Sequence, residues 1–84
     1  MFYVYILQNK DKSLYIGYSS NLKQRIKDHL DGKGGRTTKN KIDWKLIYYE
    51  AYLDKGDATC REIFLKSGSG RRFINKQLRQ YLNK

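Results

Sequence analysis

Tyr5 and Tyr15 stand ten residues apart on two short β-like runs, and Arg25 and His29 follow one helical turn apart on the next stretch. Two tyrosines at equivalent points of a hairpin, backed by a guanidinium and an imidazole, aim a proton acceptor and two cationic or polar groups at one spot. A phosphodiester suits that spot, because its oxygens need charge relief while an attacking water needs a base. Each residue alone has a plainer role: cross-strand packing for Tyr5 and Tyr15, a helix-edge histidine for His29, a solvated charge for Arg25. Their ordered combination is what points to chemistry.

The elements that must position them can be read from apolar spacing. Tyr3 to Leu7 alternates, with Val4 and Ile6 on one face and Tyr3, Tyr5 and Leu7 on the other, which predicts a strand. Asn9 to Ser13 is a polar turn. Leu14 to Tyr18 is a second strand, with Tyr15 and Gly17 on one face and Leu14 and Ile16 on the other, pairing with the first as an antiparallel hairpin. Ser19, Ser20 and Asn21 offer cap oxygens to a helix whose stripe is Leu22, Ile26 and Leu30 and which Gly32 can end. Asp31 to Asp43 has no period and reads as a basic loop. Trp44 to Leu53 is an aromatic third strand. Asp57 is the expected N-cap of a helix running to about Lys66, Ser67 to Gly70 breaks it, and a last helix from Arg71 to Leu82 turns Phe73, Ile74, Leu78, Tyr81 and Leu82 inward.

A chain of 84 residues has room for one domain, residues 1–84, and buries only roughly 60–65% of its unfolded surface. Met1 to Leu7 is too short for a membrane span and lacks the basic leader of a signal peptide. Cys60 has no cysteine partner, which fits a reducing compartment, and the cytosol is the expected location. There are 18 Lys and Arg against 8 Asp and Glu, a net charge of +10. The excess gathers in Lys23 to Lys45 and Arg61 to Lys84, which implies a polyanionic partner. The helical stretches need their modest apolar faces for the core, which argues against a membrane surface.

The residues now in hand resemble the GIY-YIG nuclease superfamily, and in particular its small stand-alone bacterial-type members. The first motif is Tyr3, Val4, Tyr5 and the second is Tyr15, Ile16, Gly17. The helix signature is Asn21, Leu22, two residues, Arg25, three residues, His29. Glu62 with Leu65 and Lys66 is similar to the helix carrying the family's metal-binding glutamate, and Asn75 lies where the family places an asparagine. Two departures are visible: Tyr3 replaces the glycine of the name motif, and Tyr18 stands where the nuclease domain of excision-repair proteins has a lysine. His29 is the substitute for that lysine.

The resemblance implies an α+β fold, a three-stranded antiparallel sheet flanked by three helices in the order ββαβαα. It also implies a Mg²⁺- or Mn²⁺-dependent endonuclease that cuts DNA to leave a 5′-phosphate and a 3′-hydroxyl. Tyr5 or Tyr15 is then the general base, favoured as phenolate by nearby cations. His29 accepts or orients the proton, Arg25 clamps the phosphate, and Glu62 holds the metal, which keeps most of its waters. Gly17, Lys23, Arg36, Thr38, Lys39, Arg72, Asn75 and Lys76 are the residues expected to meet nucleic acid, Gly17 by letting its backbone come close. So small a chain has little surface for reading sequence, so recognition by shape, strandedness or damage, or through a protein partner, is expected. The alternative is a non-catalytic nucleic-acid-binding module that keeps the fold.

Overall fold

The central strand is the first one, because its residues are apolar on both faces and must be covered twice. The computed structural model describes residues 1–30 and 44–84. In it β1 (Phe2–Gln8) lies between β2 (Leu14–Ser19) and β3 (Lys45–Tyr52), antiparallel to both. The helices are α1 (Leu22–Leu30), α2 (Lys55–Leu65), α3 (Gly68–Gln77) and a short α4 (Arg79–Leu82). This is the expected α+β arrangement, with the last expected helix divided at Leu78.

Strand alternation sorts the core into two layers. Val4, Ile6 and Ile16 meet Ala58, Leu65 and Ile74 from α2 and α3, with Phe64, Phe73, Leu78 and Leu82 packed around them. Each fully buried aliphatic side chain here contributes about 1.5–3 kcal/mol. On the other face Tyr5, Leu7 and Trp44 are buried, covered by Leu22 and Ile26 of α1. The sheet is therefore sandwiched between α1 and the C-terminal helices.

Two helix starts lie three residues earlier than the sequence suggested. The cap of α2 is Asp54, whose Oδ2 accepts the Asp57 N–H at 3.2 Å, so Asp57 sits inside the first turn. Ser67 to Gly70 does not only break a helix; Ser67 caps α3, its Oγ accepting the Gly70 N–H at 3.1 Å. Gly70 is required there: a Cβ would collide with the Phe64 carbonyl oxygen and lie 2.7 Å from the Leu65 carbonyl carbon. The absence of a side chain lets α3 start directly against the end of α2.

The α1 cap is as the sequence suggests, with Asn21 Oδ1 accepting the Gln24 N–H at 3.1 Å. Its inward stripe is different. Leu30 is 63% exposed, whereas His29 is 2% exposed. With 3.6 residues per turn, position 29 lies about 20° from Leu22 around the helix and position 30 about 80° away. The face that starts at Leu22 and Ile26 therefore ends on the histidine. The expected stop at Gly32 and the basic loop after it, with Arg36, Thr38 and Lys39, lie outside the described residues.

Candidate active site

Register decides how the two tyrosines meet. Tyr5 pairs with Gly17 and Leu7 pairs with Tyr15, so the tyrosines are diagonal neighbours on one face rather than direct partners. Their ring centroids are 6.3 Å apart. His29 comes down from α1 onto both, 5.8 Å from the Tyr5 ring and 5.1 Å from that of Tyr15, each edge to face. Trp44 closes the other side of Tyr15 at 6.2 Å.

The Tyr5 hydroxyl lies 3.0 Å from His29 Nε2, inside the protein. The imidazole tautomer decides which of the two donates. Both groups are driven to the neutral form. Burial pushes the Tyr5 pKa well up, helped by Tyr15 and Glu62, and the Arg25 guanidinium only partly opposes it. Burial pushes His29 down, with Arg25 acting the same way and Asp28 against it. The expectation that nearby cations favour a phenolate is thus reversed at Tyr5, because removing the oxygen from water outweighs one exposed guanidinium.

Gly17 also differs from expectation. It is buried, and the space before it is filled by the Tyr5 phenol: a Cβ on Gly17 would lie 2.5 Å from Tyr5 Cζ and closer still to the hydroxyl oxygen. The bare backbone admits the tyrosine ring.

Arg25 and Glu62 act on this phenol through their charges, one from α1 and one from α2. Arg25 is exposed on α1, one turn before His29, and its charge acts on both Tyr5 and His29. Glu62 comes from α2, and its charge acts on Tyr5. Its carboxylate is partly exposed and makes an ion pair with Lys66 Nζ at 3.2 Å. A hard divalent cation that retains its waters needs few protein oxygens, and one accessible carboxylate fits that demand. Among the described residues no group of three or more His, Cys, Asp or Glu is gathered for a metal.

What holds α2 in place is a cluster that the sequence reading missed. Arg61 grips Glu50 of β3 with two hydrogen bonds, Nε at 2.9 Å and a terminal nitrogen at 3.1 Å. Tyr48 donates to the same carboxylate at 2.6 Å, and Tyr52 donates to it as well. The guanidinium packs 4.3 Å from the Phe73 ring centroid and 5.0 Å from that of Phe64. Burial works against the Glu50 charge, but the bonds from Arg61, Tyr48 and Tyr52 together hold its pKa below the ordinary carboxylate value. The only signal in the sequence is Tyr48, Glu50 and Tyr52 at a spacing of two, which puts them on one strand face. Successive helix residues point roughly 100° apart, so anchoring Arg61 turns Glu62 to a different side of α2.

Among the described residues, the other expected nucleic-acid contacts line different grooves or none. Lys23 lines a groove of about 490 Å³ with Tyr3, Ile26 and Tyr49 beside α1. Lys76 lines a separate one with Phe73 and Arg79. Arg72 is exposed, donating to Ser69 Oγ at 3.0 Å. Asn75 shares a groove with Arg71 and Lys12.

Comparison with known proteins bears on the family and the fold. A profile described as the GIY-YIG catalytic domain matches residues 1–78. A UPF0213 protein of Clostridium perfringens is 46% identical over 66 residues, covering 79% of this chain and 71% of that protein. A UPF0213 protein of Bacillus licheniformis is 37% identical over 81 residues, covering 93% and 84%. The solution NMR structure of a UPF0213 protein from Bacillus halodurans superimposes with a TM-score of 0.57 at 34% identity, covering 92% of this chain and 85% of that one.

Proposed function

Because the chain belongs to the GIY-YIG catalytic-domain family, we propose that it is a divalent-metal-dependent endonuclease that hydrolyses DNA phosphodiesters, leaving a 5′-phosphate and a 3′-hydroxyl. The observation that carries this reading is the convergence on one phenol: the Tyr5 hydroxyl is hydrogen-bonded by His29 and feels the charges of Arg25 and Glu62 and the neighbouring Tyr15. Four elements, β1, β2, α1 and α2, contribute to that convergence.

Arg25, exposed at the rim, is the phosphate clamp, since a guanidinium can hold two phosphate oxygens at once. Glu62 would hold the Mg²⁺ or Mn²⁺, which when bound relieves charge on the phosphate and on the departing 3′-oxygen. Glu62 must exchange its bond to Lys66 to do so. Tyr15 is the better assignment for the general base. It is half-buried, while Tyr5 is enclosed by Gly17 and His29 and held in its protonated form. The Tyr5–His29 pair then orients the site as a neutral hydrogen-bonded unit. Recognition by DNA structure rather than sequence, a protein partner that supplies specificity, and a cytosolic location complete the reading. Among the described residues no helix is long and apolar enough to cross a membrane.

The Glu62–Lys66 ion pair favours one competitor, a nucleic-acid-binding module without catalysis, in which Glu62 is only a helix-surface partner. Nicking of supercoiled plasmid by purified protein, with and without Mg²⁺ and with Glu62→Ala alongside, separates the two. The nuclease reading expects metal-dependent nicking that Glu62→Ala abolishes while DNA binding persists. Binding without nicking at any divalent metal concentration would leave the module.

A further inference from the structure

The hairpin end of the sheet carries a charge concentration that the candidate active site does not use. Two grooves meet there, one of about 550 Å³ lined by Lys12, Arg71 and Lys84, the other of about 260 Å³ lined by Lys10, Lys12 and Lys45. Lys12 and the Tyr81 ring line both, so the grooves form one tract. Among the described residues no Asp or Glu side chain lines either. The one carboxylate in the hairpin turn, Asp11, is occupied inside it, accepting the Ser13 N–H at 2.9 Å and the Ser13 hydroxyl at 2.6 Å.

We propose that this tract, from Lys10 and Lys12 across Tyr81 to Lys45, Arg71 and Lys84, is a second nucleic-acid-binding surface that holds phosphates of the bound strand away from the cleavage site. The proposal rests on the nuclease reading and adds to it where the substrate lies. Two further observations support it. Lys12 has a φ of 76°, a left-handed conformation that glycine or asparagine adopts with less strain, yet a long cation is placed there. Lys45 Nζ lies over the Tyr81 ring, 5.7 Å from its centroid, so the tract combines cations with an aromatic face on which a base can stack. The rung Gln8↔Leu14 borders the tract, and the next rung, Leu7↔Tyr15, turns the proposed base to the opposite face of the sheet, so the tract is a surface separate from the candidate active site.

A nucleic acid fits this tract better than an anionic membrane does. Membrane docking needs a projecting apolar face beside the cations. The large exposed apolar residues, Met1, Leu30, Tyr49, Leu53 and Ile63, line neither groove.

The test is the binding of fluorescently labelled duplex and single-stranded DNA, followed by anisotropy over a range of salt without divalent metal. The variant combines Lys12→Asn, Lys45→Ala and Arg71→Ala, with asparagine chosen because it tolerates the backbone at position 12. A matched variant, Lys27→Ala, Lys55→Ala and Arg79→Ala, removes the same charge elsewhere. Loss of three phosphate contacts should make the slope of log affinity against log salt shallower by about 2.7 for duplex or about 2.1 for single strands. The matched variant should keep a slope near that of the wild type, and both should melt near the wild-type temperature. A wild-type slope in the tract variant, or an equal loss in the matched one, overturns the tract while plasmid nicking still decides the nuclease reading. Loss of binding to phosphatidylserine vesicles with DNA binding intact would overturn the choice of occupant. Absence of DNA binding by the wild-type protein would overturn it too.

Discussion

The Tyr5 phenol occupies the place that a side chain at position 17 would take: a Cβ there would lie 2.5 Å from Tyr5 Cζ. The glycine of the second motif and the tyrosine of the first are thus two halves of one packing arrangement. The open backbone of one strand lets the ring of the next lean across it and present its hydroxyl to His29 at 3.0 Å. Neither motif places the phenol alone.

Gly17→Ala should therefore displace the Tyr5 ring and break its bond to His29. Overpacking of this kind costs typically about 1–3 kcal/mol, and the misplaced hydroxyl should also lower any nicking rate by more than the loss in stability explains. Urea unfolding and initial nicking rates on the same preparation check it. Unchanged values for both would mean that the ring has another place to go.

Stability should depend on pH through His29. Its pKa is lowered in the folded protein from an ordinary 6.5, so below that pH the unfolded chain binds a proton more readily than the folded one. Stability is then fully present above about 6.5 and is lost as pH falls toward the folded pKa. Thermal melting between pH 8 and pH 5 should show this decline, and His29→Gln should flatten it while lowering the plateau. A wild-type melting temperature that does not change across the interval would contradict a buried neutral imidazole.

Glu50→Gln should weaken the hold of α2 on the sheet. The carboxylate accepts from Tyr48, Tyr52 and both arms of Arg61, and its side chain is 15% exposed. Replacing its charge costs about 1.5–3 kcal/mol on the scale of charged hydrogen bonds. The folded pKa is depressed, so this contribution is present above the unfolded carboxylate pKa and is lost as acid takes the pH through the folded value. Denaturant melts at pH 7 and pH 3 should differ less for the variant than for wild type, and equal differences would contradict the clamp.

Much of this arrangement is legible in the residues. The period of two puts Tyr5, Tyr15 and Gly17 on one face and Val4, Ile6 and Ile16 on the other without any tertiary knowledge. His29 is legible only if the helical angle is carried through two turns; a four-residue stripe ends on Leu30, which the structure turns outward. Capping distances are ambiguous at one turn, which is why Asp54 rather than Asp57 starts α2. The Glu50–Arg61 clamp is not legible, since it joins residues eleven positions apart through a strand and a helix whose relative placement depends on the fold. Nor could sequence alone say that burial outweighs Arg25 at Tyr5, because burial is a property of the packed ring.

The two tyrosines should separate by the shape of the pH–rate profile. Phe in place of either keeps the ring contacts with His29 and removes one hydroxyl. For Tyr15, assigned as general base, the variant should fold and bind DNA but lose cleavage by about 10²–10⁴-fold, with the rise of rate toward high pH removed. For Tyr5 the loss is of an orienting hydrogen bond to a group that is neutral near pH 7, so the rate should fall at every pH with the profile's shape kept. Tyr5→Phe should also destabilise, since it leaves His29 Nε2 without its phenol in a buried place, a penalty of about 1–3 kcal/mol. Melting temperatures and initial nicking rates from pH 6 to pH 10 on both variants read out all of these differences. An exchanged pattern, with Tyr5→Phe flattening the profile and Tyr15→Phe only scaling it, would transfer the base role to Tyr5. Wild-type rates in both folded variants would remove both tyrosines from the chemistry.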